Sequence, residues 1–139
     1  MAETNDFIIV YDLDKTLNYK KKENQSYADV EPIVENINIL REIYNDGGNV
    51  IIDTARNMLT QINDEGKVIK NIGLDTLSWL KDNTVPYNGI RFGKPYSSTC
   101  YVDDKALRPK ELKKIYESLE NPHDLNELRK AIEEYLENN

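Results

Sequence analysis

The chain has 139 residues, with 25 Asp or Glu against 18 Lys or Arg and a formal net charge of −7. That length fits one domain with one hydrophobic core, and 39% apolar with 31% charged residues is the balance of a folded chain. The acidic excess argues against nucleic acid as a partner, and no apolar run reaches the ~20 residues that span a bilayer.

The start of the chain, residues 1–6, is polar and acidic and lacks the basic, then apolar, pattern of a secretory signal. The single cysteine, Cys100, rules out an internal disulfide and fits a reducing cytoplasm; a buried thiol in a strand is its expected setting. Residues 7–11 (Phe-Ile-Ile-Val-Tyr) form a short β-rich run of the kind buried on both faces. After a polar stretch at 18–27, Glu31-Pro32 opens a helix with Ile33, Ile37, Leu40 and Tyr44 at helical spacing, and Asp46-Gly47-Gly48 closes it. Residues 49–53 read as a second strand, so the unit is strand, helix, parallel strand. Residues 57–71 are polar with weak periodicity and are expected to be mostly loop. Leu74, Leu77, Trp79 and Leu80 mark a further helix ending near Asn83, with Trp79 in the core. Short strands are expected at 90–92 and 98–102. Two helices follow at 109–119 and 122–136, the second with Leu125, Leu128, Ile132 and Leu136 on one stripe.

Alternating strands and helices predict an α/β, Rossmann-like three-layer sandwich around a mainly parallel sheet, spanning residues 1–139 as a single domain. Neither 18–27 nor 57–71 is long enough for a separate cap domain. Ligands of such sheets bind beyond the carboxyl ends of the strands. There the sequence places Asp12 and Asp14, then Thr54 and Arg56, then Lys94, then Asp103 and Asp104. Any one of these alone reads as an ordinary turn residue. Together, clustered carboxylates must hold protons or share a cation. All-oxygen ligands with open positions suit Mg²⁺, and Lys94 and Thr54 suit phosphate oxygens. A receiver domain uses similar parts, but its order along the chain differs from the one here.

The string Asp12-Leu13-Asp14-Lys15-Thr16, followed by Thr54, Lys94 and Asp103-Asp104, resembles the haloacid dehalogenase (HAD) superfamily over roughly residues 7–115. Residue 15 is Lys where many members carry Gly. A closer resemblance, to small HAD-like proteins found with bacterial capsular polysaccharide biosynthesis, rests on Thr54-Ala55-Arg56-Asn57-Met58, Gly93-Lys94-Pro95 and residues 101–109. The resemblance implies a phosphatase in which Asp12 is the nucleophile and Asp14 the acid and base, protonated at the start by pressure from neighbouring carboxylates. It implies Mg²⁺ on Asp12, the Asp14 carbonyl and Asp103, with Asp104 orienting water or Lys94. It also implies Thr54 and Lys94 on the phosphoryl oxygens and Thr16 fixing the loop. Arg56 suits either a substrate anion or a surface ion pair.

The expected substrate is a sugar or polyol phosphate in surface-polysaccharide metabolism, in a site open or partly closed by the two loops or a second subunit. A nucleic-acid-end phosphatase of the same fold and a non-catalytic interaction module are the alternatives. Lys20, Lys21 and Lys22 are read as solvated, Tyr19, Tyr27 and Tyr96 as packing or rim residues, and His123 as a surface residue.

Overall fold

Ile8–Tyr11 forms the first strand, β1, in a computed structural model that describes residues 6–61 and 64–139. Helix α1 (Val34–Asn45), strand β2 (Asn49–Asp53), helix α2 (Glu65–Asp82) and strand β3 (Gly89–Arg91) follow in turn. Helices α3 (Pro109–Ser118) and α4 (Leu125–Asn138) complete the chain. The three strands form one parallel sheet in the order β1-β2-β3, with Ile9 opposite Val50, Tyr11 opposite Ile52, and Ile52 opposite Ile90. Each crossover carries a helix, as parallel pairing requires. At the end of α1, Gly47 takes φ 102°, and a side chain on Gly48 would meet Ile43 at 2.6 Å. These two glycines turn the chain sharply into β2.

Because side chains alternate along a strand, the sheet has one face of Ile9, Tyr11, Val50, Ile52 and Ile90. The main core sits against this face and draws on every helix: Ile37, Leu40 and Ile43 from α1, Trp79 and Leu80 from α2, Leu112 and Ile115 from α3, Leu125 and Leu128 from α4. Fully burying side chains of this size contributes roughly 1.5–3 kcal/mol each. The opposite face carries Ile8 and Val10, each 58% exposed. The described residues therefore make two layers, and the third layer of the expected sandwich is not formed.

Four further expectations need correction. Residues 98–102 form no strand, and the whole run 98–106 is exposed, with Val102 at 97%. An apolar stretch carries strand propensity but does not specify a pairing partner. Cys100, in that run, is consequently exposed rather than buried. The polar stretch 57–71, of which residues 62 and 63 lie outside the described residues, becomes helix from Glu65. Its start is set by Asp64, whose carboxylate accepts the Lys67 N–H at 3.1 Å. Val68 and Ile72 of this helix bury with Met58 and Phe92 in a small second cluster. At the other end of the chain, α4 begins at Leu125 rather than at Pro122, because Asp124 caps it. Among the described residues, no helix is long and apolar enough to cross a membrane.

Candidate active site

Just beyond β1, Leu13 and Leu17 are wholly buried and anchor a tight loop. The Leu17 and Asn18 N–H groups donate to the Leu13 carbonyl at 2.8 and 3.3 Å, and Lys15 N–H donates to the Asn18 carbonyl at 2.7 Å. Burying Leu13 turns Asp12 and Asp14, on either side of it, to the half-buried rim. The Thr16 carbonyl accepts the Asn36 amide of α1 at 2.8 Å, which ties the loop to that helix. The loop also forces Lys15 to φ 65°, a conformation that glycine adopts freely and a side chain does not.

The direct partner of Asp14 is an arginine, and not the carboxylates that were expected to press on it. Asp14 Oδ2 accepts from Arg56 Nε at 3.2 Å, and its Oδ1 accepts from an Arg56 Nη at 2.8 Å and from the Asn18 amide at 3.0 Å. The Arg56 side chain is 0% exposed. Its remaining contacts run to Asn18 Oδ1 at 3.0 Å and Thr76 Oγ1 at 3.1 Å, with the Tyr27 ring 4.2 Å from the guanidinium carbon. Arg56 is thus neither a substrate clamp nor a surface pair. It is a buried fork whose donors are turned to the protein and fix the orientation of Asp14.

Asp12 lies at the end of β1, and Lys94, in the loop after β3, brings its Nζ within 3.8 Å of Asp12 Oδ1. Lys94 Nζ also sits 4.3 Å from the Tyr101 ring centre. Burial pushes the Asp12 carboxyl above the usual carboxylate range and the Asp14 charge adds to it; the Leu13 backbone, Lys94 and Arg56 pull the other way. Thr54, expected on a phosphoryl oxygen, is fully buried. Its hydroxyl accepts the Arg56 N–H at 2.9 Å, so it shapes the turn instead.

Asp103 and Asp104 are not gathered with the other acids. Both are exposed, and Asp103 Oδ1 accepts the Lys105 N–H at 2.8 Å within its own loop. Among the described residues, no group of three or more His, Cys, Asp or Glu side chains is placed to hold a metal ion. The expected Mg²⁺ set of Asp12, Asp14 and Asp103 is therefore not assembled here. Asn18, Tyr27 and Thr76 are the residues that sequence reasoning missed in this role. A buried arginine needs such acceptors, but nothing in their local sequence marks them.

No family model matches the chain, and no curated protein matches it. A crystal structure of an MCSG target from Vibrio cholerae is similar, with 32% sequence identity over 92% of this chain and 98% of that chain, at a TM-score of 0.74. This chain belongs to the family of that protein. The likeness of fold extends over nearly the full length of both chains.

Proposed function

We propose that the chain is a phosphomonoester hydrolase of HAD type, with the Rossmann-like fold that type implies, acting on a sugar or polyol phosphate through an aspartyl phosphate on Asp12. The observation that carries this reading is the approach of Lys94 to Asp12, 3.8 Å across the ends of β3 and β1, beside a second acid held by a buried fork. An Asp12 oxygen attacks phosphorus as the bond from phosphorus to the alcohol oxygen breaks. Lys94 neutralises the phosphoryl oxygens, where the transition state gathers charge. Asp14 takes up a proton from solvent and gives it to the departing oxygen, then takes one from the water that attacks the aspartyl phosphate and restores the Asp12 carboxylate. Oδ2 is the atom suited to this transfer, because it accepts one hydrogen bond where Oδ1 accepts two. Because the expected Mg²⁺ ligands do not come together, no step is assigned to a metal.

Phosphate release from a panel of sugar and polyol phosphates, with Mg²⁺ and in EDTA, tests this reading. Asp12→Asn is expected to abolish turnover, and Asp14→Asn to lower kcat by about 10²–10⁴-fold. The raised Asp12 carboxyl places the acid limb of kcat/KM above the ordinary carboxylate range, with activity rising as Asp12 ionises. Equal turnover in wild type and Asp12→Asn would remove the nucleophile. One observation supports a second reading, a non-catalytic interaction module: Asp103 and Asp104 stand in an exposed run, away from a shared metal site. That module would release no phosphate across the whole panel.

A further inference from the structure

Next to Asp14 lies a cavity of about 210 Å³, lined by Asp14, Lys15, Lys20, Lys21 and Tyr27. Three of its five lining residues are lysines, on a chain whose net charge is −7. Among the described residues, none of the three forms an ion pair. Lys21 is held at the wall: its Nζ donates to the Lys22 and Gln25 carbonyls at 3.2 and 3.1 Å and stands 5.6 Å from the Tyr27 ring centre. Tyr27 in turn stacks on Arg56, so the residue that orients Asp14 also braces the cavity. Lys15 adds an independent sign. It occupies a left-handed backbone position where glycine would be free of strain, and it is one of the residues that line the same cavity.

We propose that this cavity receives a second anionic group, a carboxylate or another phosphate, carried on the alcohol part of the substrate. The preferred substrates are then phosphomonoesters of acidic sugars or polyols. The direction follows from Asp14: it serves the leaving oxygen, so the rest of the leaving group lies on its side of the site, towards Lys15, Lys20 and Lys21. That step rests on the phosphatase reading; the affinity of the cavity for an anion does not. A charge-assisted contact to an ammonium is stronger than a neutral one.

Calorimetric titration with 6-phosphogluconate and sorbitol 6-phosphate tests the proposal without any need for turnover. Both are open-chain phosphomonoesters, and they differ at the far end by a carboxylate against a hydroxymethyl group. Wild type is expected to bind 6-phosphogluconate about tenfold more tightly. Lys20→Ala/Lys21→Ala should erase that preference, and Lys15→Gly should reduce it while the protein stays folded. Equal affinity for the two ligands, binding of neither, or a preference that survives the double substitution would overturn the proposal. Tighter binding of a 3′-phosphorylated oligonucleotide at the same lysines would overturn it in favour of a nucleic-acid end. Phosphate release is assayed separately. A binding preference without turnover would overturn the phosphatase reading and leave the anion cavity standing.

Discussion

Arg56 is held by Asp14, Asn18, Thr76 and the Tyr27 ring at once, which makes it the residue on which the geometry of the site depends. Truncating one partner of such a buried pair leaves the others desolvated and unmatched. Arg56→Ala is therefore expected to lower stability by about 3 kcal/mol in urea unfolding. Arg56→Lys, which keeps the charge but has no fork, should recover only part of that loss. Tyr11 presents the opposite case. Its hydroxyl and that of Tyr116 are buried without hydrogen-bond partners among the described residues, and burial, with Tyr116 adding to it, pushes the Tyr11 phenol far above its ordinary range. Tyr11→Phe removes an unpaired polar group and keeps the ring. It is expected to raise stability by about 1 kcal/mol, measured by the same unfolding curves.

At the scale of elements, α1 and the two C-terminal helices were legible because their apolar residues recur at helical spacing. Strands β1 and β2 were legible as short apolar, β-rich runs, although β1 is buried on one face and not on both. Residues 98–102 were not. Tyr101 and Val102 look like the end of a strand, but among the described residues none pairs with the open edge of β1, and the run stays in solvent. Val102→Asp distinguishes the two situations. On an exposed run it should change stability by no more than about 0.5 kcal/mol, whereas in a buried parallel strand an unpaired carboxylate would cost several. The start of α2 was hidden for another reason: its first turns are polar, and the apolar contacts of Val68 and Ile72 are made with Met58 and Phe92, distant in sequence from one another. The candidate site divides in the same way. Asp12, Asp14 and Lys94 could be placed by strand ends alone. The roles of Arg56 and Thr54 depended on contacts reaching as far as Thr76, which no local pattern announces.

Across the whole molecule, the acidic surface also takes part in holding the C-terminal hairpin. His123, between α3 and α4, places Nδ1 2.8 Å from Asp46 and 3.6 Å from Glu42, at the far end of α1, with the Tyr116 ring edge-on to the imidazole. The hydrogen bond and charge of Asp46, with Glu42 adding, raise the imidazole above its ordinary range; its slight burial opposes them. A raised histidine contributes stability that is fully present below about pH 6.5 and is lost as pH rises through the folded-state value. Tm measured from pH 5.5 to 9 should fall more steeply in wild type than in His123→Gln over that window. Parallel curves would remove the clamp. Tyr135 and Glu111 join α4 to α3 independently of this contact, so the hairpin itself should survive the change.

The exposure of Cys100 has a practical use. It is the only thiol in the chain, and it lies three residues before Asp103, in the run that carries both displaced acids. A maleimide-linked fluorophore or nitroxide attached there would report selectively on that run without any engineering of the protein. Its mobility, followed as ligands are added, would show whether Asp103 and Asp104 ever approach the end of β1.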